Sequence, residues 1–136
     1  MRKLVFADTN KIFGLFVRYL GGLSLDHSLL IRFARSDTLY ISSYVIAELI
    51  ANCNHEWLDI SDVMVDDFIW LCWFHFIISK QLDRSYIEYV QDINDAQILQ
   101  DCIQSWSIYL LTNNMKDFDQ QSINSTFGVQ IITSLP

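Results

Sequence analysis

The sequence predicts one α/β domain over residues 1–136, with a parallel sheet of four or five strands between helices. A length of 136 residues is enough for one well-buried core and too small for two. With 4 Gly and 1 Pro, turn-forming residues are too scarce for a many-stranded sandwich or barrel. Short apolar runs alternate with helical patterns, which is typical of a parallel sheet covered on both faces.

The first third of the chain predicts a strand and two helices. Residues 4–7 are all apolar and predict a buried strand. A helix is expected from about Asn10 to the pair Gly21-Gly22, because glycine commonly ends helices. Ser24 can cap a second helix that continues to about residue 36.

The middle third begins with a β-rich run at residues 39–41, which predicts the second strand. Ser42 or Ser43 is expected to cap the helix that follows. The segment from Asp59 to Asp62 offers cap residues for a further helix through a Trp-rich stretch. That helix is expected to give way to an extended run at residues 76–78.

The last third predicts two more strands and the helices between them. A short helix is expected at residues 84–90, and Asn94 is expected to cap a helix that continues to about Trp106. Residues 109–111 predict a strand, and a helical turn begins at Asp117. Residues 129–132 predict the closing strand.

Composition restricts the class of protein. Apolar residues make up 51% of the chain and charged residues 18%, which excludes a disordered protein. The three cysteines are an odd number without a close pair, so reduced thiols and a cytoplasmic location are expected. The longest apolar run, residues 68–78, falls well short of the roughly 20 residues that span a bilayer, so no membrane association is expected.

Charge is divided unevenly along the chain. The net charge is −7, but residues 1–35 carry six bases and two acids, a balance of +4. A polyanion is therefore expected to dock on the N-terminal third. The candidate RNA-binding residues there are Lys11, Arg18, Arg32 and Arg35. The alternative is that they form ordinary solvated helix faces.

Acidic side chains follow the predicted strands. Asp8 comes directly after the first strand, Glu48 lies in the helix after the second, and Asp95 opens the helix before the fourth. Asn114 and Asp117 follow the fourth strand. Ligands of an open parallel sheet bind outside the carboxyl ends of its strands, so these side chains are expected to converge on one rim.

The predicted acidic cluster indicates a metal site. Carboxylates in one cleft repel each other, and a hard divalent cation keeps them ionised. Mg²⁺ or Mn²⁺ is therefore the expected cofactor. Such a cation suits phosphodiester hydrolysis, because it lowers the pKa of a water molecule and stabilises developing charge on phosphate oxygens.

Four segments carry these residues in order. They are residues 5–10 (VFADTN), 41–49 (ISSYVIAEL), 92–99 (DINDAQIL) and 109–118 (YLLTNNMKDF). Together they span nearly the whole chain and resemble the motifs of the PIN-domain nucleases, in particular the toxin ribonucleases of bacterial toxin–antitoxin pairs. The resemblance implies a metal-dependent endoribonuclease that acts on RNA, forms a homodimer and is inhibited by an antitoxin whose gene lies alongside.

The resemblance also implies roles for individual residues. Asp8, Glu48, Asp95 and Asp117 would be catalytic, and the first three would hold the metal. The supporting residues would be Asn10, Asp92, Thr112 and Asn114. Many members of the family have an Asp where this chain has Asn114, and a branch with Thr-x-Asn-x-x-Asp-Phe fits residues 112–118. Asp117 would then supply the missing charge, or only cap the following turn; one well-held metal is expected.

Ordinary structural explanations stand beside these roles. Glu48 could be an exposed helix residue, and Asp95 could be a first-turn acid favoured by the helix dipole. Asp92 could be a loop residue. Asp8 follows a buried strand, where a charge needs a compensating partner, and the sequence suggests no structural reason for it.

Histidines and aromatic residues receive no catalytic role. The side chains of His27, His55 and His75 lack partners at metal-ligand spacing, and Cys53 with His55 forms only half of a zinc motif. Aromatic residues cluster in the middle of the chain: Trp57, Phe68, Trp70, Trp73, Phe74 and Phe76. They could stack on bases, but their helical spacing favours the core or a dimer surface.

Two other functions are compatible with the sequence. A PIN-like protein that has lost catalysis and serves as a binding or regulatory module is suggested by Asn114 and the net charge of −7. Another doubly wound phosphoryl-transfer enzyme could use Asp8 as a nucleophile. Such an enzyme usually has a second acid within two residues, and Thr9 and Asn10 supply none.

Overall fold

The computed structural model describes residues 3–53 and 60–136. Its fold is α/β with a five-stranded, entirely parallel sheet, which confirms the predicted fold class. The strands are β1 (Leu4–Ala7), β2 (Thr38–Ser42), β3 (His75–Ile77), β4 (Tyr109–Leu111) and β5 (Gln130–Ile132). All five predicted strands are present, each within one residue of its predicted bounds. Arg2, His55, Trp57 and Asp59 lie outside the described residues.

Helices cover both faces of the sheet in the pattern expected of alternating elements. They are α1 (Thr9–Leu20), α2 (Leu29–Ser36), α3 (Ser43–Asn52), α4 (Asp62–Leu71), α5 (Ile93–Gln104) and α6 (Gln120–Phe127). Two short 3₁₀ segments lie at Arg84–Tyr89 and Met115–Asp117. Within the described part of the chain, no helix has both the length and the apolar character needed to cross a membrane.

The order of the strands creates a switch point at the centre of the sheet. The order is β3-β2-β1-β4-β5, so the chain proceeds to one side of β1 and then returns to build the other side. In the register of the sheet, Phe6 lies opposite Tyr40 in β2 and opposite Leu110 in β4. The connections that follow β1 and β4 lead to opposite sides of the sheet, and open α/β sheets bind ligands at such a point.

The core consists of the apolar strands and the inward faces of the helices. Val5, Phe6 and Ala7 in β1 are fully buried because both faces of this central strand are covered. Phe68 of α4 is also fully buried and contacts Phe16 of α1 edge to face, with ring centroids 5.0 Å apart. The cysteines at positions 53, 72 and 102 are buried and unpaired, as expected of reduced thiols.

Some of the aromatic residues assigned to the core or a dimer surface are exposed. Phe68 and Phe74 belong to the core, but Trp70 is 82% and Trp73 58% exposed. Trp70 lies in the last turn of α4, and Trp73 follows the helix in the turn toward the edge strand β3. Phe76, in that edge strand, is also exposed. Helical spacing alone did not distinguish the inward from the outward positions.

The start of α2 differs from the prediction. Ser24 does not cap α2, and its carbonyl oxygen accepts a hydrogen bond from the Arg18 guanidinium at 2.9 Å. Its hydroxyl accepts from the Asp26 N–H at 3.3 Å, which forms a local turn. The helix begins four residues later than predicted, at Leu29, with Ser28 as its N-cap.

The ends of α5 also differ from the prediction. The helix begins at Ile93, and its cap is Asp92 in place of Asn94, because Asp92 Oδ1 accepts from the Asn94 N–H at 2.9 Å. It ends at Gln104, slightly before the predicted limit, because Trp106 adopts a left-handed conformation with φ 62°. A left-handed residue stops a helix and commonly follows its C-terminus.

Helix α6 is missing from the prediction, which placed only a helical turn near Asp117. The helix is short and polar, and Ile123 is its one buried residue, so it has almost no apolar periodicity. Its boundaries do carry signals: Asp119 Oδ1 accepts from the Ser122 N–H, and Gly128 ends the helix with φ 70°. Those two signals identify the helix where hydrophobic periodicity does not.

Candidate functional site

A cleft of about 460 Å³ opens at the carboxyl ends of β1 and β4. Five residues that the sequence predicted for the site line it: Asp8, Asn10, Glu48, Asp95 and Asn114. Three others were not predicted: Thr9, Phe13 and Asn52. Phe13 and Asn52 lie one helical turn beyond Thr9 and Glu48, so helix periodicity could have identified them. None of the lining residues that the structure describes is basic.

Asp8 occupies the centre of this site and is only 5% exposed. One carboxylate oxygen accepts a hydrogen bond from the Thr9 N–H at 2.7 Å and caps α1. The other accepts from the Thr112 hydroxyl at 2.8 Å. Asp8 therefore does have a structural role, which the sequence did not suggest. Burial still raises the pKa of its carboxyl, although both hydrogen bonds act in the opposite direction.

Glu48 reaches the cleft from the middle of α3. Its Oε1 accepts a hydrogen bond from the Thr9 hydroxyl at 2.6 Å, which joins α3 to the start of α1. Partial burial raises the pKa of the Glu48 carboxyl, and the charges of Asp8 and Asp92 raise it further. Glu48 is thus not an ordinary exposed helix residue, because its carboxyl faces other acids across the cleft.

Asp95 lies in the first turn of α5 and is half-buried. Burial, followed by the charges of Asp8 and Asp117, raises the pKa of its carboxyl to about 7. The helix dipole would favour the ionised form of a first-turn acid. The opposite direction of this shift indicates that desolvation and neighbouring acids outweigh the dipole at this position.

Asp117 and Asp92 lie close enough to influence the cleft by charge, but neither lines it. Asp117 ends a 3₁₀ segment after β4 and is half-buried. Asp92 is exposed and caps α5, so its structural explanation is present in the fold.

Tyr44 is a member of the cluster that the sequence analysis missed. Partial burial raises the pKa of its phenol to about 12, and the charges of Glu48, Asp92, Asp95 and Asp8 add to that effect. At neutral pH the phenol is therefore a neutral hydrogen-bond donor beside the acids. Its position one turn before Glu48 on α3 was the available signal.

The predicted supporting residues connect the loops after β1 and β4. Thr112 is fully buried, and its hydroxyl accepts from the Asn114 N–H at 3.1 Å while it donates to Asp8. Asn10 Oδ1 accepts from the Asn113 N–H at 3.0 Å. These bonds hold the two loops against each other and orient the Asp8 carboxylate. The amide of Asn114 remains exposed in the cleft.

Only one of the four predicted RNA-binding bases lies near this cleft. Lys11 is in the first turn of α1, and its ammonium group donates to the carbonyl oxygen of Thr133, just beyond β5. Arg18 lies about 10 Å further along α1 than Lys11, by the rise of an α-helix. Arg32 and Arg35 are on α2, which leads into the amino-terminal end of β2. That end of the strands is opposite to the carboxyl ends where the acids lie. The structure therefore does not bring these arginines to the acids.

The chemistry of the cleft fits a hard divalent cation. Its charged lining groups are carboxylates, and their mutual repulsion would be relieved by such a cation. Over the two described ranges, no group of three or more His, Cys, Asp or Glu side chains is arranged closely enough to hold a metal ion. The carboxylates of Asp8 and Glu48 are engaged with Thr112 and Thr9 instead. A cation would have to compete with these hydroxyls for the carboxylate oxygens.

The raised carboxyl pKa values predict that the metal-free fold loses stability as pH rises. Asp95 has a folded pKa of about 7 against an ordinary value of 3.8. The stability gained from binding this proton in the folded state is fully present below the ordinary pKa and is lost as pH rises through about 7. Asp95→Asn removes that loss, so it should melt with wild type at pH 4 and about 2–6 °C above wild type at pH 8, after allowance for solvent screening.

Thermal unfolding followed by circular dichroism in EDTA measures this difference from pH 4 to pH 8. Asp66→Asn, which removes an exposed acid from α4, is the matched control for net charge. An Asp95→Asn difference that stays constant across the range would contradict the interaction between Asp95 and its acidic neighbours.

Comparisons with known proteins add no family assignment. No protein-family model matches the chain, and no curated protein is significantly similar to it. The cleft and the four sequence segments that meet there are therefore the basis for assigning a function.

Proposed function

We propose that this chain is a Mg²⁺- or Mn²⁺-dependent endoribonuclease of the PIN type, which hydrolyses RNA phosphodiester bonds as the toxin of a toxin–antitoxin pair in the cytoplasm. One observation carries the proposal. Asp8, Glu48 and Asp95 come from three separate segments and line one cleft at the switch point of a parallel sheet. A stable fold gains nothing from gathering repelling acids, whereas a cation-dependent site needs them.

In this proposal Asp8, Glu48 and Asp95 would hold the cation. When bound, the cation supplies Lewis acidity that lowers the pKa of water and offsets negative charge on phosphate oxygens. Thr112 keeps the Asp8 carboxylate in one orientation through the 2.8 Å hydrogen bond. Asn114 can donate from its exposed amide to a phosphate oxygen without adding negative charge.

Backbone binding would fall to Lys11, because it is in the first turn of α1, which begins at the cleft, and its ammonium group lies just beyond β5. Arg18, Arg32 and Arg35 would contact only an RNA long enough to pass around the domain. A short single-stranded oligonucleotide should therefore depend on Lys11 and be insensitive to changes at Arg32 and Arg35.

Calorimetric titration with Mn²⁺, combined with an RNA cleavage assay, tests the proposed function. We expect about one Mn²⁺ to bind per chain, since Asn114 contributes no charge for a second ion. Cleavage of single-stranded RNA should stop in EDTA and return when Mn²⁺ is added. Cleavage that continues in EDTA would contradict the proposal.

A catalytically weakened PIN-like binding or regulatory module is the second candidate. Two observations favour it: the neutral Asn114 in the cleft, and the separation of the acids in the described residues. Such a module would bind RNA or a partner and would neither bind Mn²⁺ nor cleave. The same titration distinguishes the two candidates.

The proposed partners are a second copy of the chain and an antitoxin encoded by a neighbouring gene. Light scattering of the purified chain measures the first, since a homodimer doubles the mass of 15.9 kDa. Co-expression with the product of an adjacent small gene, followed by the cleavage assay, tests the second. An antitoxin should co-purify with the chain and suppress cleavage.

A further inference from the structure

A buried acid outside the cleft has a position that neither the core nor the proposed chemistry explains. Asp101 of α5 has no exposed surface, and it lies about 9 Å along the helix from Asp95 by the rise per residue. Its carboxylate accepts from the Ser79 hydroxyl at 2.7 Å and from the Gln97 amide at 2.9 Å. Both partners are neutral, so the hydrogen bonds that hold this buried carboxyl group in the described part of the chain supply no opposite charge.

Ser79 extends this contact to the start of α3. Its hydroxyl accepts from the Tyr44 N–H at 3.1 Å, and its own N–H donates to the Ser43 hydroxyl at 2.8 Å. Tyr44 is in the first turn of α3, where backbone N–H groups have no partner inside the helix. Ser79 therefore caps α3 from outside, from the segment that follows β3.

The carboxylate of Asp101 determines how the Ser79 hydroxyl points. A serine hydroxyl has one hydrogen and two lone pairs. Because a carboxylate only accepts, the hydrogen must point to Asp101, and a lone pair is then presented to Tyr44. We call this chain of two hydrogen bonds the relay: the Tyr44 N–H donates to the Ser79 hydroxyl, and the Ser79 hydroxyl donates to Asp101. Both bonds therefore have a defined donor and acceptor.

Helix α3 connects this relay to the cleft. Glu48 lies one turn beyond Tyr44, on the same side of the helix. Its carboxyl accepts a 2.6 Å hydrogen bond from the hydroxyl of Thr9, the residue that follows Asp8. The rigid first turns of α3 therefore transmit any shift at Tyr44 to Glu48, while α5 carries Asp95 and Asp101 on one rigid element.

From this geometry we infer that Asp101 and Ser79 are positioning residues, which fix the start of α3 relative to α5 and thereby the Glu48 carboxyl relative to Asp95. Neither residue touches substrate or cation. The inference rests on the proposed function only for its catalytic consequence. Its structural content, the placement of Glu48 through Ser79, can be measured in the metal-free protein.

Ser79→Ala tests the relay by removing the hydroxyl that joins Asp101 to Tyr44. In the metal-free protein, the exchange of the Tyr44 amide hydrogen should accelerate about tenfold, as expected for one lost hydrogen bond. The ¹³C shift of the Glu48 carboxyl should change in the same spectra. Ser79→Thr retains a hydroxyl and should restore both signals to wild-type values.

The catalytic consequence is measured as a metal requirement. Ser79→Ala should raise the Mn²⁺ concentration for half-maximal RNA cleavage about 10- to 100-fold, the usual effect of losing a residue that orients a metal ligand. The maximal rate at saturating Mn²⁺ should stay within about threefold of wild type, because the ligands themselves remain. A general loss of folded protein would instead lower the rate at every Mn²⁺ concentration.

Ser105→Ala is the matched control for Ser79→Ala, because it removes the hydroxyl of another serine, a buried one, from the same domain. The Ser105 hydroxyl donates to the Cys102 carbonyl oxygen at 2.7 Å at the end of α5, away from the cleft. This variant should leave the Tyr44 exchange rate, the Glu48 shift and the Mn²⁺ requirement unchanged. Equal changes in both variants would overturn the relay.

Asp101→Asn provides a second, isosteric variant. In the wild-type protein, the Ser79 hydroxyl and the Gln97 amide both donate to the Asp101 carboxylate. An asparagine has one oxygen and one NH₂ group, so its NH₂ group must face one of these two donors. It should reproduce the effects of Ser79→Ala on Tyr44 and Glu48. If both variants fail to fold while Ser105→Ala folds, the role is structural and the inference is overturned.

The outcomes also separate this inference from the proposed function. A wild-type chain that neither binds Mn²⁺ nor cleaves RNA would refute the proposed function, and the Tyr44 and Glu48 signals would still decide the relay. A wild-type chain that cleaves RNA, with Ser79→Ala unchanged in those two signals, would refute the relay alone.

Discussion

Asp8→Asn should lower Mn²⁺-dependent RNA cleavage about 100-fold or more, because it removes a charged ligand from the proposed cation site. The fold should survive the change. Asparagine caps helices as well as aspartate does, so the Thr9 N–H keeps an acceptor. Loss of the Thr112 hydrogen bond is offset by relief of a buried charge among other acids, so the melting temperature should stay within about 5 °C of wild type.

The experiment compares cleavage rates at saturating Mn²⁺ with melting temperatures in EDTA. Asp66→Asn, on the exposed side of α4, removes the same charge and should keep wild-type activity. A large fall in melting temperature with activity retained would assign Asp8 to the structure of the loop and not to the chemistry of the cleft.

Phe68→Ala should lower the free energy of unfolding by about 3–5 kcal/mol, the usual cost of removing a buried phenylalanine. Phe68 is a fully buried residue of α4 that packs against α1. Its ring lies 5.0 Å from Phe16, 5.5 Å from Tyr19 and 5.9 Å from Phe74, measured between centroids. The cavity left behind cannot close without moving several of these rings, so the cost should lie near the upper end.

Urea denaturation measures this change, and Phe76→Ala is the matched control. Phe76 is 43% exposed in the edge strand, so the same deletion should cost less than about 1.5 kcal/mol there. No residue of α4 lines the cleft, so the Mn²⁺ requirement of folded Phe68→Ala should equal that of wild type. Similar costs for the two variants would contradict the central place of Phe68 in the core.

The four segments that resembled PIN motifs contain residues that meet in the folded chain. In the sequence, Asp8 directly follows the first predicted strand, Glu48 lies in the helix after the second, and Asp95 opens the helix before the fourth. In a parallel sheet the carboxyl ends of the strands share one edge, so the fold class and the positions of the acids together predicted the cleft. Its residues Phe13 and Asn52 were missed, although helix periodicity was enough to find them.

Other features depended on contacts between distant parts of the chain. The role of Asp8 as a partner of Thr112 joins residues 104 positions apart. The separation of Arg32 and Arg35 from the acids follows from the direction in which α2 enters β2, and a charge count along the chain could not show it. The burial of Asp101 against Ser79 is likewise a contact between α5 and the segment after β3.

The strands, most of the helices and the fold class were predictable from the sequence, because apolar runs, helical periodicity and capping residues act over a few neighbouring positions. The depth of burial and the hydrogen-bond partners of the polar groups depend instead on the folded arrangement of the chain. The raised pKa of Asp95, the outward position of Trp70 and the relay through Ser79 are of this kind. Desolvation and charge repulsion depend on what surrounds a side chain in space, and those surroundings come from segments far apart in the chain.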